Sequence, residues 1–216
     1  MADGTILIRG FDASDRDAVR DISCRTAFSE DPSGHVFKDD EILADVLTQY
    51  FTDYEPRSSF VAASGGKVVG YLTGAKNVRK MRMTFLFRIM PKLILKALKR
   101  GVFFKKTNII FFKRTVLSLL KGEFFVPDFS GDYPAALHIN ICEGFRRSGT
   151  GRALVERYLK FLKEENVSEL HFGVMSDDAK KFFIKTGFKV LFEGRRSCFN
   201  PHPEKEIPYY VIGKKI

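Results

Sequence analysis

Nowhere in this chain of 216 residues do the ~18 uninterrupted apolar residues of a membrane-spanning helix occur. The N-terminal stretch MADGTILIRG has no charged segment leading into an apolar run, so no secretory signal is expected there. Cysteine is scarce: Cys24, Cys142 and Cys198 are odd in number, far apart and without CxxC spacing. That pattern predicts free thiols in a reducing cytoplasm, and neither a disulfide framework nor a zinc site. The four histidines, His35, His138, His171 and His202, lack metal-ligand spacing as well, so no metal is expected. Internal repeats and low-complexity tracts are also missing. What remains is an ordinary globular composition, 44% hydrophobic and 29% charged, at a length that suits one domain over 1–216.

One segment lacks acid altogether. From Val78 to Lys121 there are 13 Lys and Arg and no Asp or Glu. Set against a net charge of +10, this leaves the rest of the chain at about −3. The protein therefore reads as a nearly neutral body carrying one basic segment.

Periodicity divides the chain into strands and helices. Residues 5–9 (TILIR) read as a strand, and 12–28 as a helix with Val19, Ile22 and Ala27 inward. Ile42, Leu43, Val46, Leu47 and Tyr50 form the stripe of a second helix, and 58–76 reads as a hairpin around Ser64-Gly65-Gly66. In the basic segment Leu86, Ile89, Met90, Leu93 and Ala97 suggest an amphipathic helix that Pro91 kinks or splits and Gly101 ends. A further helix is expected over 109–120. Then come a strand (AALHINIC), a helix lined by Leu154, Val155, Tyr158 and Leu162, a strand (SELHFGVM), a short helix ending at Gly187, and two late strands. The order implies an α/β fold, a mixed sheet with helices on its faces.

The stretch FRRSGTGRALVERYL places Gly149 and Gly151 where that long helix begins. Glycines there let an anion approach the backbone, and free N–H groups at a helix start favour negative charge. Arg146, Arg147 and Arg152 add positive charge. A bare tight turn would explain the glycines too, and such a spacing arises by chance in roughly one chain in five. Context makes the turn more specific, because a strand precedes it and a second strand–helix unit follows.

Together, LHINICEGFRRSGTGRALVERYL and ELHFGVMSDDAKKFFIKTGFKVL resemble the two cofactor motifs of the GNAT superfamily of acyl-CoA-dependent acetyltransferases. The resemblance covers most of the chain outside about 78–130. It implies a GNAT fold with a basic helical insertion between the third and fourth strands. It also implies an N-acetyltransferase that moves an acetyl group from acetyl-CoA directly to an amine. Arg146, Arg147, Ser148, Gly149, Thr150, Gly151 and Arg152 would hold the pyrophosphate. Ile139, Asn140 and Ile141 would pair with the pantetheine arm and present an N–H to the thioester carbonyl. Ser176 takes the place of an Asn that contacts the cofactor in many members.

The resemblance breaks at Phe183. Many members carry a Tyr there that protonates the departing thiolate, and Phe183 would lie beside the cofactor sulfur without a proton to give. Either another group or water does so, or the chain binds acyl-CoA as a non-catalytic binding or sensing protein. His138 and Glu143 are the candidate bases, each also readable as a packed histidine or a solvated turn residue. Tyr209 and Tyr210 read as core and rim. The basic segment reads as a solvated helical pair packed on the sheet. It also reads as a surface for an anionic membrane, nucleic acid or an acidic protein, or as a lid over the acceptor site. No motif for specific nucleic-acid reading accompanies the charge.

Overall fold

A computed structural model describes residues 5–27, 36–199 and 206–216. His35 and His202 lie outside these residues, as does Phe28 at the end of the first expected helix. Strand β1 (Leu7–Gly10) leads into α1 (Arg16–Thr26) and α2 (Asp40–Asp53), followed by β2 (Phe60–Ser64) and β3 (Lys67–Ala75). The basic segment forms α3 (Val78–Thr84), a π turn at Phe85–Ile89, α4 (Met90–Lys99) and α5 (Lys106–Leu120). The chain closes with β4 (Ala136–Ile141), α6 (Thr150–Glu164), β5 (Glu169–Val174), α7 (Asp177–Lys185), β6 (Lys189–Arg196) and β7 (Ile207–Lys215).

The single mixed sheet expected from the sequence is two antiparallel sheets, β1-β2-β3-β4 and β5-β7-β6. They touch at one parallel bridge, Ala135 with Leu170, where Ala135 receives the His171 N–H at 2.9 Å and gives its own to Glu169 O at 3.2 Å. Beyond the bridge β4 and β5 part. The head of α6 stands at the mouth of this split: a Cβ on Gly151 would lie 3.1 Å from Ile141 Cδ1 and 3.6 Å from Phe182 Cζ.

Helix α6 buries Leu154, Val155, Tyr158, Phe161 and Leu162 against the first sheet, the stripe its spacing dictates. Tyr158 is fully buried and donates its hydroxyl to Ala136 O at 2.8 Å. Gly74 makes room for that ring, because a Cβ there would overlap it. Helix α1 covers the opposite face, with Val19 and Ile22 against Val61 and Tyr71.

The stripe expected on α2 needs correction. Val46 is exposed, whereas Asp45, Thr48 and Thr52 are buried. Asp45 is held inside by Arg20 and by Lys96, the latter at 2.6 Å, so pairing, not hydrophobicity, sets this face. Asp39 is likewise buried, capping α2 at Ile42 N and binding Arg100 (2.9 Å) and Lys105 (3.0 Å). Helix α4 and the π turn before it pack Ile89, Leu93 and Ala97 against Ile42, Tyr50 and Ala75. The expected inward Leu86 instead faces solvent.

Pro91 does not break the helical run. Met90 N–H reaches back five residues to Phe85 O, and this π turn absorbs the change of register just before the ring. Gly101, at φ 63, ends the run. Helix α5 begins at Lys106, ahead of the expected 109.

Candidate functional site

The site grows from the free edge of β4. Its inner edge belongs to β3, since Cys142 N–H bonds Val69 O at 2.9 Å. Backbone groups alternate sides along a strand. His138 and Asn140 therefore turn their N–H groups to β3, and Ile139 and Ile141 turn theirs to the split. Arg146 Nε donates to Ile141 O at 3.1 Å on that open side.

After a short 3-10 turn at Glu143–Phe145, the chain places Arg147 at φ 63 and Gly149 at φ 87. Gly149 is the N-cap of α6 and gives the helix no side-chain cap. The N–H groups of Thr150, Gly151 and Arg152 thus open the helix without intrahelical partners. Ser148 Oγ donates to Phe145 O at 2.7 Å and lies 2.7 Å from Thr150 Oγ1. The two glycines have separate reasons: Gly149 meets the backbone angle, and Gly151 lets the helix head approach Ile141. Arg146, Arg147 and Arg152 are exposed around this turn. Arg147 is 3.8 Å from Asp178, and Arg152 is bonded to Glu156 along its own helix at 2.7 Å. The donor set fits a diphosphate: uncapped N–H groups at the positive end of a helix, ringed by guanidinium groups.

The other expected residues are distributed as follows. Ser176 caps α7 by accepting Ala179 N–H at 3.2 Å. Phe183 is sealed, 2% exposed, with Phe172 at 4.7 Å and Phe188 at 5.2 Å between ring centroids. Its neighbour Phe182, which sequence reasoning passed over, is the ring beside Gly151. Glu143 is exposed at the start of the turn.

On the α1 side of the sheet, Asn140 Nδ2 donates to Tyr71 Oη at 2.8 Å, and His138 Nδ1 lies 3.5 Å from the same oxygen. His138 keeps some solvent contact, yet protein crowds its ring and desolvation pulls its pKa down to about 4. Burial pushes the Tyr71 phenol up. Tyr71 was missed because it sits inside the expected hairpin with no motif around it.

Tyr210 bonds Asp177 at 2.6 Å and is buried on β7, the central strand of the second sheet. Arg196, also missed, is 4% exposed between the rings of Phe124 (4.4 Å) and Tyr209 (4.3 Å), and its Nη1 has no hydrogen-bond partner. Nothing in a local pattern marks an arginine for burial. Among the described residues no group of His, Cys, Asp and Glu side chains is arranged to hold a metal ion.

The His138 environment makes stability depend on pH. The unfolded chain takes a proton there near pH 6.5, the folded chain only near pH 4. This contribution is complete above pH 6.5 and is lost as pH falls towards 4. Against wild type, His138→Gln is expected to show a shallower fall in unfolding free energy across that window. Parallel curves for the two proteins would contradict the desolvated histidine.

No protein-family model and no curated protein matches the chain. Solved structures do. SsHAT matches at 21% identity and TM-score 0.69, over 98% of each chain. A GCN5-related N-acetyltransferase from Kribbella flavida matches at 16% and 0.58, over 98% of each chain. The protein yncA from Salmonella typhimurium, solved with its cofactor acetyl-CoA, matches at 14% and 0.56, over 97% of this chain and 93% of that one. Identities this low speak for architecture. With its parted strands and the glycine turn at their mouth, the chain has the fold of the GCN5-related N-acetyltransferases.

Proposed function

We propose that this protein is an N-acetyltransferase that transfers an acetyl group from acetyl-CoA directly to an amine. One observation carries the reading. The N–H groups at the head of α6 are uncapped and stand where β4 leaves β5, with the open edge of β4 alongside. We assign Arg146 through Arg152 to the diphosphate, and the Ile139 and Ile141 N–H groups to the acyl arm and the developing oxyanion. Asn140, whose N–H turns to β3, orients Tyr71 instead. Ser176 can still donate its hydroxyl proton while capping α7. The single domain spans 1–216, with about 78–130 as an insertion. Three free thiols suit a cytoplasmic location.

Acetyl-CoA supplies an activated thioester when bound. The chain must then bind the amine in its neutral form, because the His138 imidazole is far too weak a base for an ammonium of pKa about 10.4. His138 is already neutral well below pH 7, and Glu143 stands in solvent. Turnover should therefore follow the fraction of free amine. CoA release measured with a panel of polyamines, amino sugars, lysine and peptide N-termini should increase with pH between about 6 and 9 for the competent amine.

Phe183 favours a second reading, a non-catalytic acyl-CoA-binding protein, because its sealed ring offers the thiolate no proton. Saturable acetyl-CoA binding without CoA release from any amine would decide for that reading. The basic helices would meet a further partner on their own surface.

A further inference from the structure

Exposed large apolar side chains concentrate, among the described residues, between β3 and β4. Among the described residues, 14 of the 19 exposed large hydrophobic side chains lie between Met83 and Phe125. Helix α5 is apolar on both faces: Phe111 and Phe112 turn inward to Phe37 and Phe103, yet apolar side chains line the outside as well. Its two fully buried residues are polar: Asn108 accepts Lys38 N–H at 2.7 Å and donates to Val102 O at 2.9 Å, and Ser118 bonds Glu123 at 2.7 Å. Its outward face repeats apolar and basic residues at three- and four-residue spacing: Lys106, Ile110, Lys113, Val116, Leu117 and Leu120. Leaving such side chains in water gives the isolated fold nothing, and a patch of this kind marks an interaction surface.

The composition of the patch selects its occupant. No acid occurs from Val78 to Lys121, and Lys92, Lys99, Lys106 and Lys113 are exposed with no ion pair among the described residues. Lysine is depleted from the cores of protein interfaces. Placed between leucines on a helix, it suits lipid headgroups, where its stem lies along acyl chains and its charge reaches phosphate. Phe104, Leu120 and Phe125, at or just beyond the two ends of α5, are 79%, 79% and 81% exposed, available for shallow insertion. No described helix is long and apolar enough to cross a membrane, which leaves binding in the plane of the surface. We propose that the outward face of α5 docks the protein on a bilayer surface rich in anionic lipid.

The inference is independent of acetyl transfer and is tested on the full chain by co-sedimentation with vesicles. Vesicles of phosphatidylcholine with about 30% phosphatidylglycerol should bind, those of phosphatidylcholine alone should not, and raising salt from about 50 to about 500 mM should release the protein. Lys106→Gln with Lys113→Gln should weaken binding about 30-fold. Ile110→Gln and Leu117→Gln should each weaken it about tenfold, with unchanged melting midpoints showing that the variants fold. Absence of vesicle binding would overturn the proposal, as would equal binding by all variants. Dimerisation abolished by Leu117→Gln without vesicle uptake would assign the face to a second copy. Retention on RNA but not on vesicles would assign it to nucleic acid. Either outcome rejects the lipid surface.

Discussion

Acetyl-CoA at about one hundred times its dissociation constant should raise the thermal midpoint of the wild-type protein by about 5–10 °C, and Gly151→Asp should abolish that rise. The size follows from linkage, since binding at that excess is worth about 2.7 kcal/mol and each kcal/mol moves a chain of this length by about 2–4 °C. Gly151 lies in the first turn of α6, so an aspartate would put a carboxylate among the N–H groups assigned to the diphosphate. The free protein should tolerate it, because an acid in the first turn complements the helix dipole by about 0.3–1 kcal/mol. Packing is the competing effect: the new Cβ would stand 3.1 Å from Ile141 Cδ1, the tip of a side chain able to move. Gly151→Ala isolates that term and should keep most of the ligand-induced shift. A folded Gly151→Asp protein that still gains the full wild-type shift would remove the turn from the cofactor site.

Phe183→Ala should cost about 3–5 kcal/mol of stability, read as a lower denaturant midpoint, because it empties a closed cluster of phenylalanines. The position to which the resemblance assigns a proton donor is here a core position, 2% exposed. Phe183→Tyr therefore separates two roles. A buried hydroxyl without a partner should destabilise the free protein by about 1–3 kcal/mol. If the ring nevertheless borders the acyl sulfur, acetyl-CoA should recover part of that loss, and CoA release should accelerate by anything up to ~10²-fold. Turnover appearing only in Phe183→Tyr would mark the wild type as a binding protein. Wild-type stability in Phe183→Ala would contradict the packing, and unchanged rate and affinity in both variants would place Phe183 away from the site.

The glycine turn was legible because its geometry is local. A strand that must reverse into a helix needs a left-handed residue, and Gly149 supplies it. The stripe of α6 was legible for the same reason. Asp45 was not: nothing in DEILADVL announces that Arg20 and Lys96, distant in sequence, will carry an aspartate inside and leave Val46 in water. The resemblance alone assigned Phe183 to the cofactor sulfur, while packing closed its ring against Phe172 and Phe188 and set Phe182 at Gly151.

The sequence by itself determined the order of strands and helices, the uncapped turn at 145–152 and the confinement of excess positive charge to one segment. Each depends on backbone preference, periodicity or composition over a few neighbouring residues. Only the tertiary structure decided that the sheet divides at Ala135, that Ile139 and Ile141 face the opening while Asn140 turns to Tyr71, and that α5 leaves Ile110, Val116, Leu117 and Leu120 in solvent. Those outcomes depend on which layers meet and which polar groups find partners across them, and such long-range pairings leave no trace in local spacing.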